Sequence, residues 1–204
     1  MEELRAVLFD LDGVLIDSYE AWFRLVNAAA RHFRTPDVER ERFQASWGQG
    51  IDADVRDFFP GQTAATVAAY YEQHLLDHAD AIRVAPDAHE VLRALRDAEI
   101  PCGVVTNTPT FLARDLLAWA GLIGLVEITV GADPDLSAKP APDCIEVACR
   151  AVEVAPENTL VIGDSDFDAQ AAQAAGAQFN AFRPSNGRGI RNLRDVLPLV
   201  RRPD

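Results

Sequence analysis

The sequence predicts an α/β protein with a doubly wound, mostly parallel sheet and an inserted helical domain. Short apolar segments alternate with helical patterns along most of the chain, as in parallel sheets covered by helices on both faces. Residues 17–81 interrupt this alternation, because they contain helical patterns without a convincing strand. Hydrophobic residues make up 49% of the 204 residues, a share that is sufficient for a packed core.

Five segments are strand candidates, three strong and two weak. Residues 5–9 (RAVLF), 102–105 (CGVV) and 160–162 (LVI) are apolar almost throughout, which is typical of strands buried on both faces. Residues 127–130 (EITV) and 178–182 (QFNAF) are the weaker candidates. These five segments are the expected strands of the sheet.

Helices are predicted between these strands, where apolar residues recur at helical spacing. Thr108-Pro109 is a suitable N-cap and first-turn pair for the helix predicted at residues 111–120. Gly176 is the expected residue after the end of the helix predicted at residues 169–175. The tail from Pro184 to Asp204 is predicted to be loop-rich, with a short helix near residues 193–197. The four helices are predicted at residues 87–98, 111–120, 143–152 and 169–175.

The interrupting segment predicts a small helical domain inserted after the first strand. Its helices are predicted at residues 19–33, 35–46, 52–59 and 63–81, with a turn at residues 47–50 (WGQG). The predicted division of the chain is a core of residues 1–16 and 82–204 and a helical domain of residues 17–81.

The composition excludes several classes of function. The 32 acidic residues outnumber the 19 basic ones and give a net charge of −13, which disfavours nucleic-acid binding. No apolar run reaches the roughly 18 residues of a membrane span, and the first residues lack the basic start of a secretory signal. Three cysteines without CxxC spacing fit neither a disulfide framework nor a cysteine zinc site. We therefore expect a cytoplasmic protein with reduced cysteines that binds neither nucleic acid nor membranes, whereas its oligomeric state is not predicted.

Polar and acidic residues follow each of the strong strand candidates. The carboxyl ends of parallel strands face one crevice, so we expect these side chains to converge there. Two carboxylates about 4 Å apart repel each other by about 4 kcal/mol at an effective dielectric near 20, a cost that a divalent cation removes. Ligands that are oxygen atoms alone indicate Mg²⁺ rather than zinc. The residues concerned are Asp10, Asp12, Thr106, Asn107, Asp164 and Asp168.

The segment after the first strand has the residues that phosphoryl chemistry needs. Asp10 is expected to be ionised at neutral pH and can attack phosphorus, and Asp12 can exchange a proton with the leaving oxygen and then with water. Gly13 allows a turn whose N–H groups can approach a phosphate. Attack on an anion needs positive charge, and Lys139, the one lysine beside 18 arginines, can supply it together with Mg²⁺.

Four segments together resemble the motifs of the haloacid dehalogenase superfamily of phosphohydrolases. They are DLDGVLIDS at residues 10–18, GVVTNT at 103–108, KPAPD at 139–143 and GDSDFDAQAAQAAG at 163–176, and they follow the family's order. The resemblance implies a Rossmann-like core with a helical C1-type cap that closes over the site. The subgroup most similar to this chain contains phosphoglycolate phosphatase and its relatives, including β-phosphoglucomutase.

The resemblance also implies a role for each motif residue. Asp10 would form an aspartyl-phosphate, Asp12 would be the general acid and base, and Thr106 would hydrogen-bond a phosphoryl oxygen. Lys139 would neutralise charge between Asp10 and the phosphoryl group. The implied Mg²⁺ site consists of Asp10, the backbone carbonyl of Asp12, Asp164 and, indirectly or through water, Asp168.

Substrate selection is expected to reside in the cap. Residues 47–52 (WGQGID) occupy the place of a specificity loop in similar proteins, so we expect Trp47, Gly48 and Gln49 to contact the substrate. Ser18 and Asn107 are candidate phosphate contacts, because each lies beside a motif residue.

Other cap residues have functional and structural interpretations. His74 and His78 have helical metal-ligand spacing but no third ligand, and Trp22 with Phe23 is more typical of cap core. Four arginines can meet a second anionic group, although a solvated helix face is the commoner role for each; they are Arg24, Arg31, Arg34 and Arg56.

The predicted function is a Mg²⁺-dependent phosphatase acting on a small phosphorylated metabolite, such as phosphoglycolate or a phosphomonoester similar to a sugar phosphate. A nucleotide and pyrophosphate also remain open as substrates. Asp12 argues against dehalogenase chemistry, which lacks this partner, and the absence of a cap lysine argues against phosphonatase chemistry. A phosphosugar mutase of the β-phosphoglucomutase type remains the alternative. A non-catalytic binding protein is disfavoured, because no motif residue is missing.

Overall fold

The structure, a computed structural model, describes residues 3–184 and 189–200. Five parallel strands form one sheet in the spatial order β5-β4-β1-β6-β7, which confirms the doubly wound α/β fold. A second sheet pairs β2 and β3 in antiparallel orientation. The strands are β1 (Ala6–Phe9), β2 (Ile16–Asp17), β3 (Arg83–Val84), β4 (Cys102–Val105), β5 (Ile128–Val130), β6 (Thr159–Gly163) and β7 (Gln178–Ala181).

The described part of the chain contains eight α-helices, which follow the predicted order. Four lie between β2 and β3, and four accompany the strands of the main sheet. They are α1 (Tyr19–Phe33), α2 (Arg40–Ser46), α3 (Ile51–Asp57), α4 (Ala64–His74), α5 (Ala88–Asp97), α6 (Thr110–Trp119), α7 (Asp143–Ala151) and α8 (Asp166–Ala175). Short 3₁₀ helices cover Leu75–Ala81, Ile123–Leu125, Pro156–Asn158 and Leu193–Leu199.

The central position of β1 explains both its composition and its importance. All four of its residues are completely buried, because the strand pairs with β4 and β6 and is covered on both faces. Buried side chains of α5 and α6 pack on one face of the sheet, and those of α7 and α8 pack on the other. The chain leaving β1 at Asp10 therefore emerges between the carboxyl ends of β4 and β6.

Four predicted helix boundaries were wrong. Residues 35–39 do not form the predicted helical turn: the Asn27 side chain accepts a hydrogen bond from Val38 N–H at 2.9 Å and donates to its carbonyl at 3.2 Å. The helix predicted to reach residue 81 becomes a 3₁₀ helix after His74. Helix α8 begins at Asp166, because Ser165 caps it. Thr108 is not the N-cap of α6, since its hydroxyl is directed to the first motif.

The small sheet was not predicted, since each of its strands has only two residues. Ile16 pairs with Val84 and Asp17 with Arg83, so the chain enters and leaves the helical segment side by side. The helical segment and the main sheet share one continuous hydrophobic core. Residues 185–188 and 201–204 of the predicted tail, and residues 1–2 of the predicted core, lie outside the described residues.

Two further findings concern the cysteines and membrane insertion. All three cysteines, Cys102, Cys144 and Cys149, are buried and free. Within residues 3–184 and 189–200, no helix has both the length and the apolar character that crossing a membrane requires.

Candidate active site

Asp10 lies where β1 ends, and its carboxylate is oriented from two sides. Its Oδ1 atom accepts hydrogen bonds from the N–H of Leu11 at 2.8 Å and from Lys139 Nζ at 2.9 Å. Burial raises the pKa of Asp10 well above its usual value, and the neighbouring Asp168 adds to this, whereas Lys139 opposes it. The described residues place no donor on Oδ2, so this oxygen is available to an electrophile or a cation.

Lys139 is the counter-ion of this cluster. Its ammonium donates to Asp10 Oδ1, to Asp168 Oδ1 and, at 3.1 Å, to the carbonyl of Val105. Burial by itself would lower the pKa of Lys139, but the two carboxylates raise it above the usual value. The residue is only 5% exposed, so its charge acts within the site rather than in solvent.

Two acidic side chains from the fourth motif complete the cluster. Both oxygens of Asp168 are engaged, Oδ1 by Lys139 and Oδ2 by the N–H and hydroxyl of Ser165. Asp164 follows β6; although part of this residue is exposed, burial of its carboxyl group and the nearby Asp168 raise its pKa to about 6.

These carboxylates fit a divalent cation. Oxygen atoms of Asp10, Asp164 and Asp168 lie within 4.8 Å of one another. Lys139 offsets only part of their charge, and the carbonyl of Asp12 accepts no hydrogen bond from the described residues. An all-oxygen donor set of this kind suits Mg²⁺. Asp168 already accepts three hydrogen bonds, so Asp10 and Asp164 have more acceptor sites left for a cation.

Asp12 is held by three donors from three parts of the chain. Its Oδ1 accepts from the Ser18 hydroxyl and from Trp22 Nε1 at 3.1 Å, and its Oδ2 accepts from the Thr108 hydroxyl at 2.8 Å. These contacts fix the position of the carboxylate at the cavity. Ser18, predicted as a phosphate contact, is completely buried and is directed to Asp12 instead.

The second motif contributes Thr106 and Asn107. Thr106 lines the cavity, and its hydroxyl accepts the N–H of Thr108 at 3.1 Å. The Asn107 side chain is committed to backbone: it accepts from Lys139 N–H at 2.7 Å and donates to the carbonyls of Lys139 at 3.0 Å and Gly48 at 2.8 Å. These hydrogen bonds join two loops, and a phosphate contact of Asn107 through its side chain or a backbone N–H stays a prediction.

Gly13 lies in the turn that follows β1, as predicted from the sequence. Its own N–H donates to the carbonyl of Ile16 at 2.7 Å and is not free for a phosphate. Its φ of +89° is in the left-handed region, and a Cβ atom here would lie 2.1 Å from Asp164 Oδ2. Glycine is required so that the Asp164 carboxylate can pack against this turn.

A cavity of about 350 Å³ lies between the acidic cluster and the helical segment. Trp47 and Gly48 of the predicted specificity loop line it. Gln49 does not line it, because its side chain bonds the Ala45 carbonyl at 3.0 Å and Arg56 at 3.4 Å, so its predicted contact with the substrate has no support from this geometry.

The other cap candidates lie away from the cavity. None of the four predicted arginines lines it; they are Arg24, Arg31, Arg34 and Arg56. His74 hydrogen-bonds Asp77 at 2.9 Å, and among the described residues neither His74 nor His78 belongs to a metal-ligating cluster.

Sequence reasoning missed three residues at the site. Trp22 was assigned to the cap core, and it is buried there, but its indole N–H reaches Asp12. Thr108 was assigned to a helix cap. Asp54 lines the cavity and accepts a hydrogen bond from Tyr71 Oη at 2.9 Å, and burial raises its pKa to about 7. The position of Thr108, two residues after Thr106, was the only available signal.

Comparisons with known proteins agree with this geometry. A family model described as haloacid dehalogenase-like hydrolase matches residues 7–182. A phosphoglycolate phosphatase of Chromobacterium violaceum is 29% identical over 188 residues, covering 86% of this chain and 83% of the relative.

Solved structures show the same fold. A subfamily IA hydrolase of the superfamily from Geobacter sulfurreducens superposes with a TM-score of 0.72 at 22% identity, covering 97% of this chain and 96% of that one. CbbY of Rhodobacter sphaeroides, in complex with xylulose-(1,5)bisphosphate, superposes with a TM-score of 0.84 at 19% identity. The match covers 98% of this chain and 100% of the CbbY chain.

Proposed function

The chain belongs to the haloacid dehalogenase-like hydrolase family, and from this premise we propose that it is a Mg²⁺-dependent phosphatase that forms an aspartyl-phosphate on Asp10. The observation that carries the proposal is the contact of Asp10 with Lys139 beside Asp164, with Asp12 across the same cavity. The substrate is a small phosphorylated metabolite, either phosphoglycolate or a phosphomonoester similar to a sugar phosphate. The relatives named as phosphoglycolate phosphatases support this substrate class.

The reaction has two displacements. A carboxylate oxygen of Asp10 attacks phosphorus, the bond from phosphorus to the ester oxygen breaks, and Asp12 donates a proton to the departing alcohol. Asp12 then removes a proton from water, which attacks phosphorus, breaks the acyl-phosphate bond and releases inorganic phosphate. Asp10 is regenerated as a carboxylate.

Positive charge makes the attack of one anion on another possible. Lys139 balances the charge of Asp10, and the hydroxyl of Thr106, a residue that lines the cavity, is the proposed donor to a phosphoryl oxygen. Asp10, Asp164 and the carbonyl of Asp12 would hold Mg²⁺, which when bound neutralises carboxylate and phosphoryl charge.

Residues 17–81 act as the cap, and residues 1–16 and 82–204 act as the catalytic core. Trp22 of α1 bonds Asp12, and Gly48 bonds Asn107, so the cap contacts the catalytic residues directly. Closure of the cap keeps solvent away from the acyl-phosphate until the alcohol has left. The buried free cysteines and the net charge of −13 support a cytoplasmic enzyme that does not bind nucleic acid.

The test is hydrolysis of an aryl phosphate by the purified protein with and without Mg²⁺. We expect Mg²⁺-dependent release of phosphate that Asp10→Asn abolishes, whereas Asp17→Asn, an exposed position in the same motif, leaves it intact. Asp10→Asn activity within tenfold of the unchanged protein would contradict the proposal. Conversion of β-glucose 1-phosphate to glucose 6-phosphate, without release of phosphate, would indicate the mutase instead.

A further inference from the structure

The described residues of the cap place no positively charged side chain in the cavity lining. Among the described lining residues Lys139 is the one cation, and its ammonium is already bonded to Asp10 and Asp168. The cap contributes apolar and aromatic surface, including Phe43, Trp47 and Ile51. A ligand bound by its phosphoryl group at Asp10 therefore extends its other end toward a wall without a cation.

Arginines of the cap are held elsewhere by acidic partners. Arg24 pairs with Glu20 and Asp80, and Arg40 pairs with Glu20 at 2.9 Å. These side chains are on the surface, with 43% and 51% of their side-chain area exposed. A carboxylate or a second phosphate inside the cavity would not meet either of them.

The cap places an acidic group at the cavity instead. Asp54 of α3 lines it, and its Oδ2 accepts the hydroxyl of Tyr71, which is completely buried. No other donor among the described residues reaches the Asp54 carboxyl group, so Oδ1 is left for a ligand. A carboxylate here repels an anionic ligand and accepts a hydrogen bond from a hydroxyl group.

Ser46 is a second polar residue that the cap places at the cavity. It lies at the end of α2, lines the same cavity, and is 7% exposed. Its Oγ atom is buried and has no hydrogen-bond partner among the described residues. Buried hydroxyl groups normally have a partner, and a hydroxylated ligand would provide one.

We infer that the cavity selects phosphomonoesters whose leaving group is uncharged and hydroxylated, and that Asp54 is the residue that discriminates against a second anionic group. This inference rests on the proposed phosphatase function and narrows it: a sugar phosphate or polyol phosphate is favoured over phosphoglycolate. The aromatic and apolar wall contacts the carbon skeleton, while Asp54 and Ser46 bind hydroxyl groups.

The test compares two esters that differ in one group. The esters are glycerol 3-phosphate, called glycerol phosphate below, and 3-phosphoglycerate, called phosphoglycerate. Glycerol phosphate has a hydroxymethyl group where phosphoglycerate has a carboxylate. We expect kcat/KM to be at least about tenfold higher for glycerol phosphate at about pH 8.5, where the Asp54 carboxyl group, with its pKa of about 7, is ionised. Asp54→Asn should bring this ratio close to one, whereas Asp52→Asn, an exposed charge removed from the same helix, should leave the ratio unchanged.

A second variant changes the selectivity without altering Asp54. Gln44 is exposed on α2 and lines the cavity, so Gln44→Arg adds a cation at the rim. We expect this variant to raise kcat/KM for phosphoglycerate relative to glycerol phosphate. A ratio near one in the unchanged protein, a preference for phosphoglycerate, or a ratio that neither variant moves would overturn the inference.

A binding measurement separates this inference from the proposed function. Calorimetric titration of the Asp10→Asn protein, with Mg²⁺ present, gives the affinity for each ester without turnover. If the unchanged protein hydrolyses neither ester but this variant still binds glycerol phosphate more tightly, the phosphatase proposal fails and the selectivity stands. Equal affinities, or no binding of either ester, would overturn the selectivity.

Discussion

Asp12, the proposed general acid and base, is held by three side-chain donors. Thr108 holds one of its oxygens, while Ser18 and Trp22 hold the other. Because general acid–base catalysis depends on the position of the carboxyl group, the loss of one donor should affect turnover more than substrate binding.

Thr108→Val removes the hydroxyl while preserving the shape of the side chain. We expect kcat to fall by about ten- to a hundredfold with KM changed by less than about threefold, as measured by steady-state phosphate release. Thr129→Val is the matched control, because the Thr129 hydroxyl is buried without a partner and lies outside the cavity lining. An unchanged kcat in Thr108→Val would show that this donor does not position Asp12.

The Asp54 carboxyl group makes stability dependent on pH. Burial raises its pKa from the model-compound value of 3.8 to about 7, so the folded protein binds this proton more tightly than the unfolded chain. Its contribution to stability is therefore complete below about pH 4 and is lost as the pH rises through 7.

Urea denaturation of the unchanged protein and of Asp54→Asn, both in metal-free buffer, measures this effect. Between pH 5 and pH 8 we expect the free energy of unfolding to fall further in the unchanged protein, by up to about 2 kcal/mol. Asp52→Asn should behave like the unchanged protein. Parallel pH profiles for the unchanged protein and Asp54→Asn would mean that Asp54 titrates normally.

The sequence predicted the motif residues better than the residues that support them. Asp10, Asp164 and Lys139 were predictable because their types and spacing reflect the chemistry. Trp22 and Asp54 were not, because an indole N–H or a carboxylate on an amphipathic helix has the same pattern whether it faces a site or not. Their roles depend on how the cap packs against the core.

At the scale of elements, the turn between β1 and β2 fixes the geometry of the acidic cluster. Gly13→Ala should displace the Asp164 carboxylate, because the added methyl group would occupy its place. We expect the Mg²⁺ concentration for half-maximal activity to rise by about tenfold or more. Gly61→Ala is the control: its φ of +91° is similarly left-handed, but nothing lies within 4 Å of the added atom. Equal Mg²⁺ dependence in the two variants would contradict this role of Gly13.

Burial on both faces made the central strands of the main sheet predictable from the sequence. The central strands have continuous apolar sequences because both of their faces are buried, and all five strand candidates were confirmed. Residues 35–39 are held in their non-helical conformation by the Asn27 side chain, and β2 and β3 form only by pairing with each other. These features arise from contacts between distant segments, which local periodicity does not report.

At the scale of the whole molecule, the parallel sheet and the cap enclose one cavity between them. The sheet brings Asp10, Thr106 and Asp164 together from separate strands, and the cap adds Asp54 and the loop at Trp47. The cap side was harder to predict, because neighbouring residues of one predicted turn have different partners. The Gly48 carbonyl accepts a hydrogen bond from Asn107, whereas the Gln49 side chain donates to the Ala45 carbonyl.

In the proposed reaction Asp10 carries the phosphoryl group during turnover. Rapid acid quenching of the Mg²⁺-loaded protein with a radiolabelled phosphomonoester, followed by peptide mapping, detects this covalent intermediate. We expect label on the peptide that contains Asp10, sensitive to hydroxylamine as an acyl phosphate should be, and no label in Asp10→Asn. Release of labelled phosphate by a protein that never acquires label, or label on a different residue, would contradict the claim.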